Sequence, residues 1–507
     1  MIRCRTGVIR VLSALRDAGC AGKYRECKVM PRQRIAVIMG TRPEAIKLGP
    51  VVHELKARDQ EFETVVVATA QHRQMLDQVL SLFGISPDVD LDLMSPNQDL
   101  SDLTARVLKM VKPVLQEVRP DLLIVQGDTT TVFATALAAF YLGQSVAHVE
   151  AGLRSHDNQN PFPEEVNRRL ATVLTDVHLA PTALAFQELV REGVARDRIV
   201  ITGNTVVDAL ANHLTRSSAL VGAGLEHIPF DSHRILLATS HRRESLGEDL
   251  ENICFALRDL VERVPDLAVV YPVHLNPNVS RTVKDILGGV DRVYLTPPLG
   301  YEAFLYLMRR AYLILTDSGG VQEEAPALHK PVLVLRQVTE RPEASLAGMS
   351  KIVGISREVI VAQAIKLLTD RAAYHAMTTG ENPYGDGRAA ERIVDVISQR
   401  LRGQYPLLAP ECWFQAPTVG DHVMQAGLFH GRLRLGEMLL RQELITEKQL
   451  EDALMRQREV KVPQLGNILK EMGALRESDL QAALLSVNHD TSGGPHGGLQ
   501  SAKHGPH

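Results

Sequence analysis

Short runs of β-branched and aliphatic residues alternate with longer segments of helical periodicity from residue 34 to residue 336. This alternation is typical of a parallel sheet with helices on both faces, because parallel strands need long crossovers and are buried on both sides. A polar stretch near residues 215–231 divides the pattern into two sets. The predicted strands are residues 34–40, 64–69, 121–128, 145–152, 177–182 and 199–204 in the first set, and 234–241, 267–274, 292–298, 312–320 and 331–336 in the second.

The two sets of strands predict an α/β fold class with two Rossmann-like, doubly wound domains. In open parallel sheets, ligands bind beyond the carboxyl ends of the strands. Most of the predicted strands end in polar or glycine residues, as at Asp128, Glu150, His241 and Asp317. We therefore predict a central cleft in which these strand ends face one another.

The C-terminal part of the chain has a different pattern. Residues 434–457 and 464–487 repeat in register at a helical period, which predicts a small all-α repeat module. The last residues are rich in Gly, Ser and His and are predicted to be disordered. The predicted divisions are an N-terminal extension (1–31), a first Rossmann-like domain (32–204), a second (205–387), a bridging helix (388–401), a linker (402–430), the repeat module (431–490) and a tail (491–507).

Composition excludes several classes of protein. The net charge of −4 argues against a bulk nucleic-acid binder. The five cysteines form neither CxxC pairs nor a regular framework, which predicts a reducing, cytoplasmic location and no structural zinc. No stretch approaches the roughly 18 apolar residues of a membrane span, so no membrane insertion is expected. The first 29 residues are interrupted throughout by basic side chains, and Met30 is a candidate translation start.

Two glycine-containing turns are candidates for holding phosphate. In GTRPEAIKLGP (40–50), Gly40 allows a tight turn before a helix, and free amides together with Arg42 and Lys47 would hold a diphosphate. The alternative is a capped helix with a solvated arginine. In TDSGGVQEE (316–324), the amides of Ser318, Gly319 and Gly320 form a second cradle, and Glu324 is placed to accept two ribose hydroxyls.

The stretch HVEAGLRSHDNQNPFPEEVNRR (148–169) gathers acids and arginines directly after a predicted strand. Removing a weakly acidic C–H proton while expelling a diphosphate requires a base, an acid and cations. Repulsion among buried carboxylates would separate their pKa values, giving one base and one acid. The alternative is a surface network with the arginines of the same stretch. The candidate acids are Asp128, Glu150 and Glu164, and the candidate cations are Arg42, Lys47, Arg168 and His241.

Residues 32–400 resemble the bacterial non-hydrolysing UDP-N-acetylglucosamine 2-epimerases. The resemblance rests on GTRPEAIK, TAQHRQMLDQV, GDTTT, HVEAGLR, PEEVNR, TGNTVVDAL, HRRES, YPVHLNPNV, LTDSGGVQEEAP, TERPEA and NPYGDG, in that order. It implies the GT-B-like arrangement of two Rossmann-like domains, with UDP bound by the second. It also implies an isomerase that needs neither NAD nor a metal cofactor, in agreement with the absence of a GxGxxG motif after the first strand.

The resemblance also assigns roles to individual residues. The implied reaction eliminates UDP in the anti sense to give 2-acetamidoglucal and adds it back with the opposite configuration at C2. The implied catalytic residues are Asp128, Glu150, Glu164 and His241, and the implied substrate-binding residues are Arg42, Lys47, Arg168, Phe304 (near uracil), Ser318, Gly319, Gly320, Glu324 and Arg341. Ser240 departs from the family, which usually has glycine before the histidine.

Further properties of the family extend to this chain as expectations. Some bacterial members are activated by UDP-GlcNAc at a second site, for which the candidate residues are Gln71, His72, Arg73 and Gln74. The family usually forms dimers, so a homodimer is expected. The product, UDP-ManNAc, is expected to supply a surface polysaccharide. The alternatives are a hydrolysing epimerase that releases ManNAc and UDP, or a GT-B glycosyltransferase, which would need an acceptor.

The repeat module resembles the N-terminal domain of type II secretion and type IV pilus ATPases, which can bind cyclic di-GMP. Arg434 and Gln457 fit that pattern, whereas Glu443, Gln464 and Val487 depart from it. Two interpretations therefore stay open, a cyclic di-GMP site and a module that docks another protein.

Overall fold

The computed structural model describes residues 32–69, 73–93, 99–213, 224–240, 247–337 and 339–415, together with Thr446. Within these residues the chain forms two parallel sheets, each covered by helices on both faces. The predicted α/β class with two doubly wound domains is confirmed. None of the helices in these ranges is long and apolar enough to span a membrane. The predicted repeat module lies outside the described residues, apart from Thr446.

The first sheet contains seven parallel strands in the order β3-β2-β1-β4-β5-β6-β7. Its elements are β1 (Gln33–Met39), α1 (Arg42–Ala57), β2 (Phe62–Ala68), α2 (Arg73–Leu82), β3 (Val89–Asp90), α3 (Leu100–Val118), β4 (Leu122–Gln126), α4 (Thr130–Tyr141), β5 (Val146–Val149), α5 (Glu164–Leu174), β6 (Val177–Ala180), α6 (Ala183–Arg191), β7 (Ile199–Ile201) and α7 (Thr205–His213).

The second sheet contains six parallel strands in the order β10-β9-β8-β11-β12-β13. Its elements are β8 (Arg234–Thr239), α8 (Glu248–Arg263), β9 (Leu267–Pro272), α9 (Pro277–Leu287), β10 (Val293–Thr296), α10 (Tyr301–Arg310), β11 (Ala311–Thr316), α11 (Gly319–Ala327), β12 (Val332–Val334), α12 (Glu343–Leu346), β13 (Ser350–Ile352), α13 (Arg357–Thr369) and α14 (Arg371–Thr378), and they are followed by α15 (Ala389–Leu401).

The strands read as continuous apolar runs because both faces of each sheet are buried. Along β1, Ile35, Val37 and Met39 point into one core cluster, while Ala36 and Ile38 point into the cluster on the opposite face. The first of these clusters also contains apolar residues of α10 and α11 from the second sheet. One continuous core therefore runs between the two sheets and holds their strand ends in a fixed relation.

The chain returns to the first sheet after completing the second. The Asn204 amide donates to the Tyr384 carbonyl at 2.7 Å, and Asp208 accepts hydrogen bonds from the first two amides of α15, those of Ala389 and Ala390, at 3.2 and 2.8 Å. The first part of the predicted linker also packs here, because the Phe414 amide donates to the Ile201 carbonyl at 2.9 Å. These contacts tie the two sheets together beside the cleft.

The eleven strands predicted from the sequence are present, with ends that move by a few residues. Two edge strands, β3 and β13, were not predicted. They contain two and three residues, so neither is long enough to show a strand period.

Candidate active site

The carboxyl ends of β1, β4 and β5 in the first sheet lie opposite the turn between β11 and α11 in the second. Charged side chains from both sheets meet there at hydrogen-bonding distance. For example, Lys47 Nζ lies 2.7 Å from Glu323 Oε2. Because these residues are far apart in the chain, the site exists only when both domains are folded and in contact.

The turn between β1 and α1 is closed by its own carboxylate. Glu44 accepts hydrogen bonds from the amides of Gly40 and Thr41, the latter at 3.1 Å, and from the Thr129 hydroxyl at 2.6 Å. Burial raises the pKa of Glu44 to about 7, while these hydrogen bonds act in the opposite direction. Glu44 therefore occupies the amides of Gly40 and Thr41, and a diphosphate role for this turn stays a prediction that rests on its other groups.

The two cations of this turn project into the cleft as side chains instead. Lys47 is buried on α1, with its Nζ 2.7 Å from both oxygens of Glu150 and 2.7 Å from Glu323. The Arg42 guanidinium lies 6.0 Å from the centre of the Tyr301 ring and interacts electrostatically with Glu324. The turn thus presents its positive charge to the second sheet through the side chains of Arg42 and Lys47.

Glu150 follows β5 directly and is buried in a left-handed conformation with φ of 64°. Few non-glycine residues adopt this conformation, and those that do are concentrated at functional sites. The Gln126 amide donates to one carboxylate oxygen, and Arg341 Nη2 lies 3.4 Å from the other. Burial raises the pKa of Glu150 to about 7; Lys47 and Arg341 oppose that rise and Glu323 adds to it.

Lys47, Glu150, Arg341 and Glu323 form a closed set of ion pairs that we call the four-charge ring. Arg341 Nε lies 2.5 Å from Glu323 Oε1, and the same guanidinium also pairs with Glu340. Two members come from the first sheet and two from the second, and all four are buried. With two positive and two negative charges, the ring is neutral, which limits the cost of burying it.

Asp128 lies at the end of β4, next to Glu150 in the sheet order. Its carboxylate pairs closely with Arg168 of α5, whose side chain is 3% exposed and also lies 3.1 Å from Glu165. Asn167 donates to the Asp128 carbonyl at 3.0 Å. Glu164 opens α5 and is half-buried. Glu150 thus pairs with Lys47 and not with the arginines of its own stretch, whereas Asp128 does pair with Arg168, whose guanidinium is buried while the Asp128 carboxylate is partly exposed.

The turn between β11 and α11 keeps its helix start open. Ser318 is the N-cap residue but makes no side-chain cap hydrogen bond. A Cβ atom added at Gly319 would lie 2.6 Å from Arg341 Nη1, so glycine is what allows the guanidinium to pack on the first turn of the helix. The first amides of a helix have no intrahelical acceptors and attract anions. This turn therefore combines open amides with a buried cation.

Glu324 lies one position beyond Glu323 on α11 and points to another part of the cleft. It accepts a hydrogen bond from the Tyr301 hydroxyl at 3.1 Å, and burial raises its pKa to about 7, an effect that Arg42 opposes. Phe304, on the same helix as Tyr301, is partly buried against the core. Ser240, the departure from the family pattern, donates its hydroxyl to Asp317 at 3.0 Å and so links the ends of β8 and β11.

Some predicted site residues cannot be placed. His241, Gln71 and His72 lie outside the described residues, and Arg73 and Gln74 open α2 without described side chains. Of the remaining candidates, Lys47, Glu150 and Arg341 are in mutual contact, and the structure does not test the roles predicted for the others. The sequence analysis missed Glu323, Glu340 and Gln126; for Glu323 the only sequence signal was its position directly before Glu324 in the QEE segment. In the described ranges, no three histidine, cysteine or carboxylate side chains are grouped as metal ligands.

Known proteins are similar to this chain over most of the residues that form the two sheets. A family model described as UDP-N-acetylglucosamine 2-epimerase matches residues 53–398. The UDP-N-acetylglucosamine 2-epimerases of Yersinia pestis and of Escherichia coli strain K12 are each 51% identical over 369 residues, which is 72% of this chain and 98% of theirs. The crystal structure of the Neisseria meningitidis UDP-GlcNAc 2-epimerase bound to UDP-GlcNAc has 44% identity and a TM-score of 0.69, covering 72% of this chain and 99% of that one.

Proposed function

Because the chain belongs to the UDP-N-acetylglucosamine 2-epimerase family and is an isomerase of that class, we propose that it interconverts UDP-GlcNAc and UDP-ManNAc by the non-hydrolysing route. In this route a base takes the proton from C2 of the sugar while the bond from C1 to the UDP oxygen breaks. UDP and 2-acetamidoglucal stay together in the cleft. A proton then returns to the opposite face of C2, and UDP adds back to C1.

The observation that carries this proposal is Glu150, a buried carboxyl at a strand end whose pKa is raised to about 7. A group that titrates near neutral pH can both take up and release a proton during turnover, which a reversible epimerisation requires. Asp128 and Glu164 provide the further acids, and the two proton transfers are proposed for these three carboxyls as a group.

The second sheet is proposed to hold the UDP part of the substrate. The amides of Gly319 and Gly320 at the start of α11 would meet the diphosphate, with Arg341 packed beside them. Arg42 and Lys47 reach the same region from the first sheet. Glu324 would accept the ribose hydroxyls, as its position beyond the glycine turn suggests. UDP is then held from both sides, which keeps it near the glycal between elimination and re-addition.

The test is incubation of the purified protein with UDP-GlcNAc alone in deuterated water. We expect UDP-ManNAc to form reversibly, with deuterium at C2 of both nucleotide sugars. Release of free ManNAc and UDP would identify the hydrolysing reaction instead. Unchanged UDP-GlcNAc that is consumed only after an acceptor is added would identify a glycosyltransferase.

A second copy of this chain is the proposed protein partner. Large apolar side chains are exposed on α4 and α5, among them Phe140 (61%), Tyr141 (68%) and Val173 (82%). Single exposed apolar residues are common, but a contiguous group on neighbouring helices is typical of an interface. Sedimentation should give twice the chain mass for the wild type, and Val173→Glu should shift the equilibrium to the monomer.

We propose that the product supplies a surface polysaccharide. Two ways in which the activity of the enzyme is regulated are proposed as well. Activation by UDP-GlcNAc through residues 71–74 predicts a lag or a sigmoidal rate curve when UDP-ManNAc is the only substrate; a hyperbolic curve contradicts it.

For the repeat module, calorimetry with cyclic di-GMP on the full chain and on a chain ending at residue 415 tests dinucleotide binding. No heat from either would leave protein docking as the function of the module.

A further inference from the structure

Glu323 stands between the two cations of the four-charge ring. Its side chain is 1% exposed, with Oε1 2.5 Å from Arg341 Nε and Oε2 2.7 Å from Lys47 Nζ. Lys47 belongs to the first sheet and Arg341 to the second. One carboxylate therefore holds a cation from each side of the cleft.

The same two cations also contact Glu150. Lys47 Nζ lies 2.7 Å from Glu150, and Arg341 Nη2 lies 3.4 Å from it. Glu150 and Glu323 thus share both of their cationic partners and face each other as like charges. Any change in the position or charge of Glu323 must alter the surroundings of Glu150, because both buried carboxylates contact the same two cations directly.

We propose that Glu323 is a positioning residue for the reaction: its two oxygens hold Lys47 and Arg341 on either side of Glu150, and its charge sets the proton occupancy of Glu150. This inference rests on the function proposed above for Glu150. Glu323 itself does not need to touch the substrate. Without it, Lys47 would keep its pair with Glu150, and Arg341 would keep its pairs with Glu150 and Glu340, but no carboxylate other than Glu150 would hold both cations, so each could shift toward the entering diphosphate.

The charges around Glu150 predict the direction of the effect. Lys47 from α1 and Arg341 from the segment before α12 lower its pKa, and Glu323 from α11 raises it, while Glu340 partly neutralises Arg341. Removing the negative charge of Glu323 should therefore lower the pKa of Glu150. A residue that only filled space would leave that titration unchanged.

The test compares Glu323→Gln, which keeps the shape and removes the charge, with Glu323→Asp, which keeps the charge and shortens the reach. The matched control is Glu343→Gln, another buried acid of the second sheet that bonds Thr182 of the first at 2.6 Å but has no contact with Lys47. The readouts are kcat against pH for the epimerisation of UDP-GlcNAc and the melting temperature of each protein against pH.

For Glu323→Gln we expect kcat to fall on the order of 100-fold. In the plot of kcat against pH, the midpoint of the transition that reports the titration of Glu150 should move down by about one pH unit or more. Glu323→Asp should lower kcat with the midpoint unmoved. Glu343→Gln should leave the midpoint in place. An unchanged kcat and midpoint in Glu323→Gln overturns the proposal, as does a fall in kcat that only follows the melting temperature. If Glu323→Gln does not fold, an unchanged kcat in Glu323→Asp overturns it.

The melting temperatures separate this inference from the proposed function. In the wild type, Glu150 has a folded-state pKa above its unfolded value, so its contribution to stability falls as pH rises from about 5 to 7. Glu323→Gln should make that fall shallower. A wild type that does not epimerise UDP-GlcNAc contradicts the proposed function; if the slope in the variant is also unchanged, the Glu323 inference fails as well.

Discussion

Two strand-to-helix turns face each other across the cleft, and different side chains hold them in place. At the β1–α1 turn, Glu44 occupies the amides of Gly40 and Thr41. At the β11–α11 turn, Ser318 makes no side-chain cap, and the space above Gly319 is filled by the Arg341 guanidinium. Similar glycine-containing sequences therefore produce one turn that is held by a carboxylate of its own helix and one in which a guanidinium packs on the first turn of the helix.

This difference divides two tasks between the sheets. The turn held by Glu44 presents Lys47 to Glu150, and we infer that it positions charge for the proposed chemical step. The open turn offers backbone donors, which bind an anion without adding flexible side chains. We infer that the first turn acts through side-chain charge, on the acids and on the diphosphate, and that the second binds the diphosphate with backbone amides. The following changes test that division.

The largest effect is expected from Lys47→Met, which removes the cation of the capped turn. Glu150 and Glu323 would then face each other, and breaking a buried ion pair in this way costs about 3–5 kcal/mol. In the variant, the pKa of Glu150 should rise further above its unfolded value. The variant then gains stability as pH falls through the range between the folded-state and unfolded-state pKa values of Glu150. The loss in melting temperature relative to the wild type should therefore be greatest near pH 8 and smaller at pH 6.

The matched control for this change is Lys56→Met, on the exposed side of the same helix. It should alter the melting temperature little at any pH, because an exposed side chain contributes at most a few tenths of a kcal/mol, roughly 0.5 at the upper end. A pH-independent loss in Lys47→Met would show that the lysine acts by packing and not by charge.

Gly319→Ala tests the open turn. The added methyl group would lie 2.6 Å from Arg341 Nη1 and 2.8 Å from its Cζ, and the guanidinium is held by ion pairs to Glu323 and Glu340. We expect kcat/KM to fall about 100-fold, because a displacement of about 1 Å in a positioning group has effects of that size. Steady-state kinetics with UDP-GlcNAc gives the measurement.

Gly320→Ala is the matched control for Gly319→Ala. Its new methyl group would have Ser318 Oγ, at 4.0 Å, as its nearest neighbour, so Arg341 should stay in place. The loss of kcat/KM should be clearly smaller than for Gly319→Ala. Equal losses at the two glycines would mean that the turn is sensitive to any side chain near the ligand and that the packing of Arg341 is not what requires glycine.

The sequence predicted the architecture of the two sheets because their strands are buried on both faces and therefore appear as long apolar runs. It also predicted that Asp128 and Glu150 would lie together, since both follow parallel strands whose carboxyl ends share one edge. The short strands β3 and β13 were missed because two or three residues carry no periodicity.

The contacts inside the site were less predictable. Glu323 and Glu324 are adjacent in the sequence, but only the helix orientation shows that one meets Lys47 and the other meets Tyr301. The inward turn of Glu44 onto its own amides was also missed. Both depend on side-chain direction, and the pairing of Arg341 with Glu150 spans 191 residues of sequence. Residue types at strand ends show which groups gather, while packing between the domains decides which of them pair.

The smallest effects are expected from Glu44→Ala and Ser318→Ala, which compare how much each turn's own side chain contributes to the free energy of unfolding. Glu44→Ala leaves two amides and the Thr129 hydroxyl without their acceptor in a buried turn, at a cost of about 2 kcal/mol. Ser318→Ala removes no cap hydrogen bond and should cost roughly 0–0.5 kcal/mol. Urea unfolding measures both. If Ser318→Ala proved as destabilising as Glu44→Ala, the second turn would also be closed by its own side chain, and the division between a turn held by its own carboxylate and an anion-binding turn would not hold.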